Sequence, residues 1–171
     1  MIVAGGSDQN AICIDHRIDL IDSQYAKALV KIARLYYERK DYVAAAKHYS
    51  LAAQLDSDRA SHHHSAGCAY GKEKKYRLGI EHLKRALALE PRNLRYANNL
   101  ATQYVDIGAD AKAIETQFDA HQNPAHVHFN MAYLYSRRQR YREAMAHLDA
   151  ALSHDPHFIR ATRLRDWLSR R

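Results

Sequence analysis

The chain has 171 residues, a net charge of +7, 47% hydrophobic and 26% charged residues, and only 6 Gly and 3 Pro. This composition excludes a disordered or collagen-like chain and favours helix almost throughout, and no apolar run approaches the roughly 20 residues of a membrane-spanning helix. Cys13 and Cys68 are too few for a disulfide framework and fit a reducing compartment. Met1 is followed by no basic-flanked apolar leader, so a cytoplasmic location is expected.

Residues 1–25 form the first segment. Gly5, Gly6 and four Asp favour a partly loose start, while Ile12, Ile14, Ile18 and Ile21 favour a short helix covering the first repeat. From residue 26 a repeat governs the chain. The passages ERKDYVAAAKHY, EKKYRLGIEHL and RQRYREAMAHL align and divide residues 26–158 into units 26–59, 60–93, 94–124 and 125–158. Each unit reads as two helices. Ala33, Gly67, Ala101 and Ala132 hold one column late in the first helix, and Tyr36, Tyr70, Tyr104 and Tyr135 follow three residues later. Ala45, Gly79, Ala113 and Ala144 open the second helix, and Ala52, Ala86, Ala120 and Ala151 close it. Helices crossing at 8–10 Å admit only small residues at the closest points, so these columns predict helical hairpins. Pro91 and Pro156 end the second and fourth units.

The third unit is shortened. It has Asp110 where the others have Tyr42, Tyr76 and Tyr141, and Gln117 where they have Tyr49, Leu83 and Leu148. Its second helix is expected to pack through Ala113, Ile114 and Phe118 and to end near His121, before Pro124. Residues 159–171 are expected to form a basic amphipathic capping helix, with Ile159, Ala161, Leu164, Trp167 and Leu168 inward.

The columns resemble the tetratricopeptide repeat, whose pattern runs W-x2-L-G-x2-Y…A-x3-F…P over 34 residues. No unit keeps the opening Trp, which is replaced by Leu29, His63, Ala97 and His128. The resemblance implies an all-α fold: a right-handed α-solenoid of four helical hairpins plus the capping helix. It also implies a non-enzymatic scaffold or adaptor that holds a protein or an extended peptide in a concave groove lined by the first helices. More narrowly, residues 123–156 are similar to repeat proteins of bacterial Tad-type pilus assembly, which normally carry a lipoprotein signal not seen here. A secretion chaperone of this repeat type is the neighbouring reading, but it sits badly with so basic a chain.

Stripes at i, i+3, i+4 and i+7 define the groove face. The first helix offers Lys27, Val30, Lys31 and Arg34; the second Ser61, His64, Ser65 and Cys68. The third offers Arg95, Asn98, Asn99 and Thr102; the fourth His126, Phe129, Asn130 and Tyr133. The resemblance makes Asn99 and Asn130, in one column, two rungs of an asparagine ladder, able to donate to and accept from a peptide backbone. Phe129 and Tyr133 would anchor side chains, and Arg34 and Arg95 would meet acidic groups. A carboxylate clamp matches less well, because Val30 and Asn99 stand where it needs basic residues.

No catalytic residue, cofactor or metal site is expected. Twelve histidines include His62-His63-His64, but helix neighbours point about 100° apart, and His64 with Cys68 makes only two ligands. A helix-interior cysteine also has no free backbone N–H groups to stabilise an oxyanion. The competing function is nucleic-acid or acidic-partner binding along a basic edge of inter-helix turns, with Arg39, Lys40, Lys74, Lys75, Arg138 and Arg140, together with the C-terminal helix.

Overall fold

The structure is a computed structural model that describes the backbone of residues 6–120 and 123–171, and side chains from Asp22 onward outside the same gap. Its described residues form helices α1 (Gly6–Glu38), α2 (Tyr42–Leu55), α3 (Ala60–Lys72), α4 (Tyr76–Leu89), α5 (Leu94–Asp106), α6 (Asp110–Ala120), α7 (Pro124–Ser136), α8 (Tyr141–His154) and α9 (Ile159–Leu168). Each odd helix packs on the even helix after it, and each even helix on the next odd one, giving an all-α solenoid of four hairpins closed by α9. No described helix is long and apolar enough to cross a membrane.

The turns explain why each hairpin closes. In every unit the tyrosine carbonyl at the end of the first helix accepts a backbone N–H five residues on. Asp41 donates to Tyr36, Lys75 to Tyr70, Ala109 to Tyr104 and Arg140 to Tyr135, at 2.8–3.0 Å. The residue before each donor is left-handed: Lys40 (φ 62°), Lys74 (62°), Gly108 (75°) and Gln139 (59°). This is the Schellman ending, and only the third unit uses the glycine it prefers. A side chain held left-handed costs about 1 kcal/mol relative to glycine. The triple variant Lys40→Gly, Lys74→Gly, Gln139→Gly is therefore expected to melt several degrees higher than the parent in a circular dichroism scan, and Gly108→Ala lower. Asparagine caps start the later first helices. Asn93 accepts from the amides of Arg95 and Tyr96, and Asn123 from those of Ala125 and His126, with Pro124 in the first turn.

The small-residue columns lie in the core. Ala33, Ala101, Ala132, Ala45, Ala113 and Ala144 are all fully buried. Three expectations are corrected. The start is not a short separate element from Gly6 on, because α1 runs unbroken from Gly6 to Glu38; no proline interrupts it. Residues 1–5 lie outside the described part. In α6, Phe118 is 43% exposed, while Gln117 is fully buried in the position filled elsewhere by Tyr49, Leu83 and Leu148. Its Oε1 accepts from Asn130 Nδ2 at 3.0 Å, while its buried Nε2 has no hydrogen-bond partner among the described residues, so only half of this core amide is satisfied. In α9, Ala161 and Leu168 are buried but Ile159 and Trp167 are exposed. This short helix packs on α8, so it covers with one face, and Trp167 lies under the Arg171 guanidinium, 3.9 Å from the ring centre.

Candidate functional site

α3 packs directly on α5 and α5 on α7, which puts the first helices on the inner side of the curve. Between their C-terminal halves lies a recess of about 550 Å³. Tyr37 from α1, Cys68, Gly71 and Lys72 from α3, and Asn99, Thr102, Gln103 and Asp106 from α5 contribute to its walls. Leu134 from α7 and the adjoining Arg137 and Arg138 complete it. Gln103 forms a buried floor packed against Gly71, where a Cβ would come within 2.6 Å of the Gln103 amide nitrogen, and that Nε2 donates to the Gly67 carbonyl at 2.7 Å.

Asn99 and Thr102 line the recess directly. Asn99 is braced from behind: its Nδ2 donates to His64 Nε2 at 2.7 Å and to Cys68 Sγ at 3.4 Å, and His64 stacks on Tyr96. The next rung is tied differently, with Asn130 Nδ2 donating to Asn98 Oδ1 at 3.4 Å, while Thr102 Oγ1 donates to the Asn98 carbonyl at 2.7 Å. The amides thus stitch repeat to repeat along the groove. The remaining groove candidates stand apart from the recess. Lys27, Lys31 and Arg34 are exposed on α1, and Arg34 pairs with Glu38 at 3.1 Å. Arg95 lies over the Tyr96 ring. Phe129 and His126 both meet Phe158, so Phe129 packs into the last repeat instead of being presented, while Tyr133 is half exposed with Arg137 above it.

Sequence stripes missed Tyr37, Gly71, Lys72, Gln103, Asp106, Leu134 and Arg137. The signal was present: continuing each stripe one more turn, from Cys68 to Lys72, Thr102 to Asp106 and Tyr133 to Arg137, reaches the recess. Its charges are unequal in freedom. The Arg138 guanidinium is held by Asp106 Oδ1 at 2.5 Å and by the Thr102 and Leu134 carbonyls. Lys72 and Arg137 make no ion pair among the described residues, and they leave the recess open to an anionic group.

The basic edge is largely committed. Lys75 pairs with Glu73 at 2.7 Å, and Arg140 grips Asp110 through two nitrogens at 2.6 and 3.1 Å and Glu143 at 2.9 Å. With Arg138 on Asp106, three of the six cations neutralise acids of the same chain; Arg39, Lys40 and Lys74 remain exposed.

Burial sets the chemistry of the His64–Cys68 pair. It pushes the Cys68 thiol up to about 11 and, with Arg95 adding to the effect, His64 down to about 4. A protonated thiol beside a neutral imidazole is the reverse of an activated thiolate pair. Elsewhere histidines bridge helices. His63 Nδ1 faces His82 Nδ1 at 3.2 Å in the second repeat, and His128 Nδ1 faces His147 Nδ1 at 3.0 Å in the fourth. Among the described residues no group of three or more His, Cys, Asp or Glu is placed to hold a metal ion.

Tetratricopeptide repeat models match residues 63–93 and 125–158. No curated protein matches. Among solved structures, MamA residues 41–end from Desulfovibrio magneticus RS-1 is 14% identical with a TM-score of 0.61, covering 85% of this chain and 84% of that one. The structure reported for the functional characterization of Pseudomonas aeruginosa pilF is 18% identical at 0.60, covering 86% and 68%. A tetratricopeptide repeat protein from Parabacteroides merdae ATCC 43184 is 18% identical at 0.63, covering 85% and 59%. These likenesses establish the shared solenoid fold.

Proposed function

We propose that this chain, which matches tetratricopeptide repeat models over residues 63–93 and 125–158, is a non-enzymatic scaffold whose concave groove holds an extended, acidic segment of a partner protein. The recess between α1, α3, α5 and α7 carries the reading: four successive first helices build one site, and no single repeat suffices. Its volume is within the range of about 300–1,000 Å³ seen for ligand sites. Asn99 and Thr102 supply hydrogen-bonding groups for a peptide backbone, and Lys72 and Arg137 supply charge for a carboxylate. Fold alone does not assign function, and residues outside the recess, such as Lys27, Lys31 and Arg95, would at most extend the contact. A narrower place in bacterial pilus or secretion assembly rests on the likeness of residues 123–156 to repeat proteins of that machinery.

The test is capture from the source lysate by wild-type chain and by Lys72→Glu with Arg137→Glu, with and without nuclease, read by mass spectrometry. Both positions are at least partly exposed, so the fold is expected to persist. A protein partner that survives nuclease and binds the variant at least tenfold more weakly is the expected result. Partners lost to nuclease from both proteins alike would move the function to the exposed cations of the edge.

A further inference from the structure

In each later repeat, one face of the first helix is buried against the hairpin before it. In α3 this face is His62, Ala66 and Ala69; in α5 it is Tyr96, Leu100 and Gln103; in α7 it is Val127, Met131 and Leu134. All nine are buried. The corresponding residues of α1 are Ala28, Ile32 and Leu35, and there the face is open: Ile32 is 41% exposed and Leu35 55%, with Ala28 also exposed. Tyr25, one turn earlier on the same face, is 53% exposed.

α1 is also far longer than its hairpin partner. Its 33 residues span about 50 Å, against about 21 Å for the 14 residues of α2. In sequence, Ile14, Ile18 and Ile21 continue the spacing of Tyr25, Ala28, Ile32 and Leu35, with alternating steps of four and three. Three heptads of that spacing are the pattern of a two-stranded seam. A single preceding hairpin the length of α2 would span only about half of α1.

We infer that α1 pairs in parallel and in register with α1 of a second copy of this chain along this seam. Charge favours that occupant. With Ile18, Tyr25 and Ile32 at a and Ile14, Ile21, Ala28 and Leu35 at d, Arg17 takes a g position and Asp22 the next e position. Parallel pairing sets Arg17 of each copy opposite Asp22 of the other, twice by symmetry. Lys31 at g meets the e position of Tyr36, so no like charges oppose.

Sedimentation equilibrium of the full chain across a dilution series tests this. The expected result is a reversible dimer of twice the 19.7 kDa chain mass. Ile32→Glu with Leu35→Glu, both exposed, should give a monomer with unchanged helical circular dichroism. Arg17→Asp should weaken the dimer about tenfold, and Arg17→Asp with Asp22→Arg should restore it. A wild-type chain monomeric at every concentration would overturn the inference and leave the face to a preceding hairpin or a heterologous helix. A dimer indifferent to the glutamates, or to the charge exchange, would equally overturn it.

Discussion

Leu83→Ala is expected to cost about 2–5 kcal/mol, the range for emptying a fully buried leucine site. Leu83 plugs the second hairpin where α3 crosses α4. Gly67 lies opposite, and a Cβ there would come within 2.6 Å of Leu83 Cγ and 2.9 Å of the Gly79 carbonyl oxygen. Gly67→Ala gains about 1 kcal/mol of helix propensity and loses about 1–3 kcal/mol to overpacking, because a backbone carbonyl does not swing aside. The single variant is therefore less stable than the parent. In the Leu83→Ala background the nearest of these contacts is gone, so the same methyl is tolerated better. The double variant should be more stable than the sum of the two losses by about 1 kcal/mol. Urea midpoints of the four proteins measure this directly, and additivity within about 0.5 kcal/mol would show that the crossing is looser than its distances imply.

That crossing also shows why the fold was so legible in the sequence. A small residue at a fixed place in every hairpin is a direct imprint of backbone approach, and Ala33, Gly67, Ala101 and Ala132 report it four times. Exceptions arose where a residue met a partner that periodicity does not specify. Gln117 broke the apolar column yet is fully buried, because Asn130 on the next helix answers its oxygen. Hydrophobicity points Phe118 inward, whereas it is 43% exposed and meets the His128 ring edge-on. The site was only half legible. Asn99 and Thr102 were found from the helical stripe, but Gly71, Lys72 and Arg137 come from the ends of the helices, where curvature of the array decides which turn faces inward. The charged edge misled for a related reason. Like-signed turns look continuous in sequence, whereas in space Asp106 and Asp110 of the shortened third repeat lie against Arg138 and Arg140 of the fourth.

The histidines make stability fall with acid. His62, His63, His64, His82, His128 and His147 all titrate below the ordinary imidazole value, with burial the leading cause in each. The paired rings show the constraint in atoms. The Ser57 carbonyl can only accept, so His63 Nε2 carries its proton and His63 Nδ1 accepts from His82 Nδ1–H. His82 Nε2 in turn accepts from the Ser50 hydroxyl. One proton can be taken up by reversing His82, but a second would set two N–H groups against each other. His64 shows the largest displacement, to about 4, with Arg95 opposing its charge, Glu90 favouring it and the neutral Cys68 thiol beside it. A histidine depressed in the fold contributes stability that is fully present above the unfolded value near 6.5 and is lost as pH falls toward the folded value. Allowing for partial solvent exposure, His64 alone should remove about 1–2 kcal/mol between about pH 7.5 and pH 5. The urea midpoint is expected to drop across that window, and His64→Gln, whose amide oxygen can still accept from Asn99, should flatten the drop. An equally steep decline in His64→Gln would assign the acid sensitivity to the His63–His82 and His128–His147 bridges instead.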